Sequence, residues 1–305
     1  MLAIAAMPIA NAVAIYFTMP FFVAGLAGPL LGERMGPSQV VGLVLALAGV
    51  LFVIAKGDLR NLLAVRFTVG DGWVLDGEKS FVIDAIGASW LIVVARTGES
   101  ADDELGLFVV DTASAGVSLQ ATRLADSRNY ARLQLTGVQV AAHMRLGDSD
   151  PQTLDAAQAL TAALDRARVC LAAEGLGLMR EAFDRTNAYL KERVQFDVAI
   201  GSFQALQHRM ARLYTELEML QSCVRAALSA IDTEDADLAL LASLAKGRAS
   251  DLCEKLMNEA IQLHGGIGVT DEFDLGLIVK RARVLQQLLG DGVFHRNRYA
   301  CLKGF

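Results

Sequence analysis

No proline occurs between residues 152 and 305, so about half of this chain carries no residue that forbids a helix interior. Leu, Ala, Met, Glu and Arg dominate the same stretch, and all are good helix formers. Apolar residues recur at three- and four-residue steps, as in Leu206, Met210, Leu213, Leu217 and Leu220. Turn residues interrupt the pattern at Asp197 to Gly201, Asp232 to Asp235 and Gly265 to Asp271. The spacing predicts helices over 153–191, 203–231, 234–264 and 274–300. Four long helices with short links make an antiparallel four-helix bundle over 151–305.

The period changes upstream. Between 65 and 148, short runs rich in β-branched and aromatic residues (Arg66 to Val69, Trp73 to Leu75, Leu91 to Ala95, Gly106 to Val110, Ala131 to Leu135) alternate with Gly-Asp, Asp-Gly and Thr-Gly signals. That spacing reads as several β-strands, with Asp71-Gly72 as a hairpin turn. Before them, Met1 to Leu31 contains no charged side chain, and a second uncharged run spans Val40 to Ala55. A bilayer-crossing helix needs about 20 apolar residues. The first run reaches that length, broken into two pieces near Pro20, and the second approaches it. No basic stretch precedes the first run, which speaks against a signal peptide. The expected fold class is therefore α+β: a C-terminal antiparallel four-helix bundle (151–305) and a partial antiparallel β-domain (65–148), preceded by two to three hydrophobic, transmembrane-like helices (1–60).

Composition excludes some functions. A net charge of −6 offers no basic patch for nucleic acid. Cys170, Cys223, Cys253 and Cys301 lie far apart and the four histidines are scattered, so no metal site and no disulfide framework is indicated. The cysteines read as reduced residues of a cytoplasmic chain over 66–305, with membrane association if residues 1–60 are expressed.

Four ordered segments in the helical half carry the chemistry. Tyr189-x-x-x-Arg193-x-x-Phe196-Asp197 closes the first long helix, and Gly201-Ser-Phe-Gln204-x-x-Gln207-His208 opens the second. Lys246-Gly-Arg248 leads into the helix that ends at Gln262-Leu-His-Gly265-Gly266-Ile-Gly268. By residue type alone, the glycines let a backbone approach a ligand closely, and a guanidinium offers fixed donors to a pyrophosphate. This set resembles the acyl-CoA dehydrogenase family, whose pattern runs Tyr-x-x-x-Arg-x-x-Phe-Gly, then Phe-Gln, then Gln-x-x-Gly-Gly-x-Gly; Asp197 stands where that family usually has glycine. Gly72-Trp73-Val-Leu-Asp-Gly77-Glu-Lys79 and Gly137 to Ala141 resemble the family's strands, so the likeness covers about residues 66–305.

The resemblance implies an FAD flavoprotein that dehydrogenates an acyl-CoA thioester at its α,β bond, within a homo- or hetero-oligomer (dimer or tetramer), with electron-transfer flavoprotein as acceptor. It assigns Arg193, Phe196, Gln204, Gln262, Gly265 and Gly266 to the adenosine diphosphate of FAD bound across a subunit contact. The family's catalytic glutamate falls on Leu289, or, in its alternative place beside Arg168, on Ala167. Neither is a carboxylate. Asp291 is the nearest candidate base, with Glu174 and Asp165 as other neighbouring acids. The family's N-terminal helical domain and its Thr-Glu-Pro-x-x-Gly-Ser loop have no counterpart here. Instead, Asn11 to Gly57, with Leu31-Gly-Glu33-Arg34, Gly42 and Gly49-Val50, resembles the end of an EamA-type drug/metabolite transporter repeat. The chain reads as a join near Leu59 to Val65. A base-deficient subunit of a paired dehydrogenase, similar to the steroid side-chain branch, is the leading expectation. A non-enzymatic membrane-anchored helical module and an inactive fusion are the rivals.

Overall fold

The computed structural model describes residues 63–68, 72–97, 105–147 and 155–305. The chain divides into two compact units, Met1–Val50 and Leu51–Phe305, and the described residues belong to the second.

Seven strands form one sheet: β1 (Leu63–Thr68), β2 (Gly72–Ile83), β3 (Trp90–Arg96), β4 (Leu105–Asp111), β5 (Val117–Thr122), β6 (Tyr130–Ala141) and β7 (Arg145–Leu146), in the order β5-β6-β2-β1-β3-β4-β7. Thr68 pairs with Gly72, so β1 and β2 make the expected hairpin; its turn lies outside the described residues. Alternating positions send Trp73, Leu75, Leu91, Val93, Phe108, Val110, Leu133 and Leu135 into one core. Trp73 meets the Phe108 ring edge-on at 5.4 Å, under the Arg145 guanidinium at 4.9 Å. The sheet is mixed rather than antiparallel as expected, because β1 lies parallel to β3. That pairing joins strands distant in sequence, which alternation along one strand cannot specify.

Five helices follow: α1 (Ala156–Glu192), α2 (Gln204–Asp232), α3 (Leu238–His264), α4 (Leu275–Gln287) and α5 (Gly292–Leu302), with a two-stranded hairpin, β8 (Val194–Gln195) and β9 (Val198–Ala199), between α1 and α2. The apolar stripe of α2 is buried as its period requires: Met210, Leu213, Leu217, Leu220, Val224 and Ala227. Helix α3 is central and packs on the other four. Its Ala242, Ala245, Gly247 and Ala249 keep its surface low; a Cβ on Gly247 would lie 3.2 Å from that of His295. The helix expected over 274–300 is two helices, broken where Leu289 (φ 57°) and Gly290 (φ 109°) leave helical space. The four-helix bundle is therefore corrected to five helices.

The membrane-like part of the expected fold class is also corrected as far as the described residues reach. Among the described residues no helix is long and apolar enough to cross a membrane. Charged residues interrupt every long helix, as Asp165, Arg166, Arg168, Glu174 and Arg180 interrupt α1. The two to three hydrophobic helices expected over 1–60 fall outside the described residues.

Buried ions join the sheet and the helices. Arg281 of α4 grips both Glu174 oxygens of α1, at 2.7 and 2.9 Å, and Asp126 of the β5–β6 loop at 2.7 Å. Burial alone would lower the pKa of Arg281, but Glu174 and Asp126 outweigh it and hold it raised.

Candidate functional site

The C-terminus of α1, the β8–β9 hairpin, the N-terminus of α2 and the C-terminus of α3 meet at one end of the helical domain. The His264 ring lies between tilted contacts with two aromatic rings, Tyr189 with centroids 4.6 Å apart and Phe273 at 4.8 Å. Arg209 of α2 pairs with Glu259 of α3 at 2.6 Å. The hairpin closes because Ile200 donates its N–H to the Arg193 carbonyl at 2.8 Å. Its two turn residues, Phe196 (φ 55°) and Asp197 (φ 64°), are both left-handed, the signature of a type I′ turn. Aspartate tolerates that conformation better than most residues, so it can stand in for glycine at 197.

All six residues assigned to the nucleotide come to this end. Arg193, Gln204, Gln262, Gly265 and Gly266 are exposed. Among the described residues no side-chain partner is recorded for Arg193, and Phe196 is 85% exposed, edge-on to Phe203 at 6.0 Å. Gly265 caps α3 at φ 64°, which explains a glycine there. Gly266 is different. Its φ is not left-handed, and a Cβ on it would meet nothing within 4 Å. Nothing within the described chain demands a glycine at 266. An open backbone at the same end of the domain as an exposed guanidinium and an exposed ring suits the phosphate and base of a nucleotide.

Asp291 lies elsewhere, at the start of α5, where its carboxylate caps the helix by accepting from the Phe294 N–H at 2.9 Å. The other two acids are held in ion pairs. Asp165 sits between Arg168 (2.8 Å) and Arg298 (2.8 Å), and Glu174 is gripped by Arg281. Leu289, on the α4–α5 loop, is surrounded by donors: its carbonyl accepts from Arg168 Nε at 3.3 Å and from His295 Nε2 at 3.1 Å, while Lys246 Nζ donates to the Gly290 carbonyl at 2.7 Å. Burial first, then Lys246 and Arg168, pushes the fully buried His295 down to about 3. Its Nε2 therefore carries the proton and its Nδ1 is buried without a partner.

Reading by motif missed Lys246 as a contact, and missed His295 and Arg298 altogether. The available signal was a cation on the buried stripe of α3, in phase with Ala242, Ala249 and Cys253. Lys79 of β2 is similar: buried to 4% exposure, its pKa is lowered to about 8 by burial.

A mixed sheet followed by helices with a nucleotide-suited end is the class of middle and C-terminal domains found in acyl-CoA dehydrogenases. Residues 157–300 match the family described as acyl-CoA dehydrogenase, C-terminal domain, and residues 55–138 match its middle domain. The acyl-CoA dehydrogenase IpdE2 of Mycobacterium tuberculosis is 34% identical over 262 residues, covering 85% of this chain and 70% of that protein. The chain belongs to the acyl-CoA dehydrogenase family, which is flavin-dependent. The probable acyl-CoA dehydrogenase YngJ of Bacillus subtilis is 32% identical over 249 residues, 80% of this chain. The chain spans 64% of YngJ's length, less than two thirds. The solved Tcur3481-Tcur3483 steroid ACAD is 29% identical with a TM-score of 0.71, covering 91% of this chain and 74% of its own. Residues 1–55 match the EamA-like transporter family, in agreement with the resemblance read there.

Proposed function

We propose that this chain is the nucleotide-holding, base-deficient subunit of a hetero-oligomeric acyl-CoA dehydrogenase that uses FAD. The observation that carries the reading is Gly266, an open glycine with no intrachain reason, set among Arg193, Phe196, Gln204, Gln262 and Gly265 at one exposed end. Arg193 would hold the pyrophosphate, with the Gln204 and Gln262 amides and the Gly265-Gly266 backbone beside it. Phe196, projecting from its left-handed turn, offers an apolar face to the same nucleotide or to the neighbouring subunit. Bound flavin supplies the redox chemistry.

Base deficiency follows from the acids. A general base needs a carboxylate free to take a proton. Asp165 and Glu174 are committed to guanidinium groups, and positions 289 and 167 are Leu and Ala. A second chain would supply the base, and the paired name of the Tcur3481-Tcur3483 relative supports such an arrangement. Electron-transfer flavoprotein would accept the electrons. Asp291 is the one carboxylate on the α4–α5 loop.

Co-purification with a glutamate-bearing dehydrogenase chain tests the reading. The complex should carry visible flavin absorbance and oxidise an acyl-CoA. Arg193→Gln and Gly266→Val should each lower flavin content with an unchanged melting temperature. A folded chain that holds no flavin alone or in complex overturns the proposal. Asp291→Asn keeps the cap acceptor; unchanged turnover in that variant assigns the base to the partner, whereas a loss of about 10²-fold or more assigns it to Asp291.

A further inference from the structure

The α4–α5 loop is unusual in both conformation and support. Leu289, a bulky non-glycine residue, is left-handed at φ 57°, and Gly290 follows at φ 109°. A Cβ on Gly290 would strike the Phe294 ring and lie 2.9 Å from His295 Nε2. Such a conformation persists only where its surroundings over-determine it.

Those surroundings are donors from three different helices, all aimed at main-chain carbonyls. Lys246 of α3, 1% exposed, donates to the Gly290 carbonyl at 2.7 Å, to the Gln286 carbonyl at 3.3 Å and to Ser250 Oγ at 2.9 Å. Ser250 passes the contact on, donating to the Gln286 carbonyl at 3.1 Å. Arg168 of α1 and His295 of α5 share the Leu289 carbonyl. Gln286 lies in the last turn of α4, where carbonyls lack helical partners and the helix end is negative. Lys246 thus caps α4 from a neighbouring helix and, with the same ammonium, fixes Gly290, the residue directly after Leu289.

We propose that Lys246 is the positioning residue of the Leu288–Asp291 loop: its ammonium ties the end of α4 to Gly290 and so fixes where the Leu289 and Asp291 side chains stand. Arg168 and His295 complete the clamp at the carbonyl between them. The proposal concerns loop geometry. Its meaning for catalysis rests on the dehydrogenase reading above, because this loop carries the position where the family places its base.

Hydrogen exchange on the full chain, without flavin or substrate, tests it. In Lys246→Met, an apolar side chain of similar length, the amides of Leu288, Gly290 and Phe294 should exchange about tenfold faster or more, while those of Leu217 and Leu256 in the core stay unchanged. If Lys246→Met does not fold, Ser250→Ala is measured in the same way; it removes one hydroxyl of the same clamp and should accelerate Leu288 and Gly290 selectively. Unchanged loop exchange, or acceleration spread evenly over all five helices, overturns the proposal. Flavin content and turnover of the assembled complex, recorded in parallel, bear on the dehydrogenase reading alone, so either idea can fail without the other.

Discussion

His295 shows how burial decides the chemistry of one side chain. An ordinary histidine takes up its proton near pH 6.5; this one resists to about 3, because charging it would place a cation in a dry site beside Lys246 and Arg168. Between those values the unfolded chain binds a proton that the folded chain refuses. Stability is therefore full above pH 6.5 and falls as pH drops toward 3, by up to about 1.4 kcal/mol per pH unit, on the order of 5 kcal/mol in all. His264, whose pKa burial also lowers, adds to the loss in the same direction. Urea unfolding at pH 4 and pH 7 checks this: His295→Gln, which retains an Nε2 donor, should show a pH slope shallower by about one proton. An equal slope in the two proteins would refute it. At Asp197 the backbone sets the constraint. Asp197→Val places a β-branched residue at φ 64° and should cost about 1–2 kcal/mol by the same measurement.

At the scale of elements, the break between α4 and α5 matters more than either helix. Its glycine has both a conformation and a neighbour that exclude a side chain. Gly290→Ala should destabilise by about 1–3 kcal/mol, read by chemical denaturation; a change within about 0.5 kcal/mol would mean that the loop relaxes freely. Helix α3 carries small residues where it packs, and it meets α5 closely at two places, Gly247 against His295 and Asp251 against Gly292. The β8–β9 hairpin is only four paired residues, yet it brings Arg193 and Phe196 to the end where Gly265 and Gly266 lie.

For the whole molecule, Arg281 makes the shortest ion pairs between the sheet side and the helices, beside a longer Arg128–Glu174 pair at 3.7 Å. Removing Arg281 leaves Glu174 and Asp126, both buried, without their main cation. Arg281→Met should cost about 3–5 kcal/mol, the usual result of orphaning a buried charge. In calorimetry it should also separate one unfolding transition into two, as the sheet and the helices lose their joint. A single transition with an unchanged midpoint would show that the two cores are held together by packing alone.

The extent of α1, α2 and α3 was legible in the sequence, because a 3.6-residue period and turn residues act locally. So were five of the seven sheet strands, because alternation is equally local, whereas β5 (Val117–Thr122) and the two-residue β7 (Arg145–Leu146) were not. The family was legible in the Arg193, Gln204 and Gln262–Gly268 segments, and the mixed sheet was not, because β1 meets β3 across intervening chain. The split of the last helix escaped the period too: Leu288 and Leu289 continue an apolar pattern, and the left-handed turn there is held by Lys246, Arg168 and His295, which lie far away in sequence or on the next helix. Tertiary structure also decided which acids are free. Asp165, Glu174 and Asp291 look alike in the sequence, and only folding commits two of them to guanidinium groups and the third to a helix cap. Residue types and their local spacing are written in the chain, whereas a charge's partner is chosen by whatever the fold brings within about 3 Å of it.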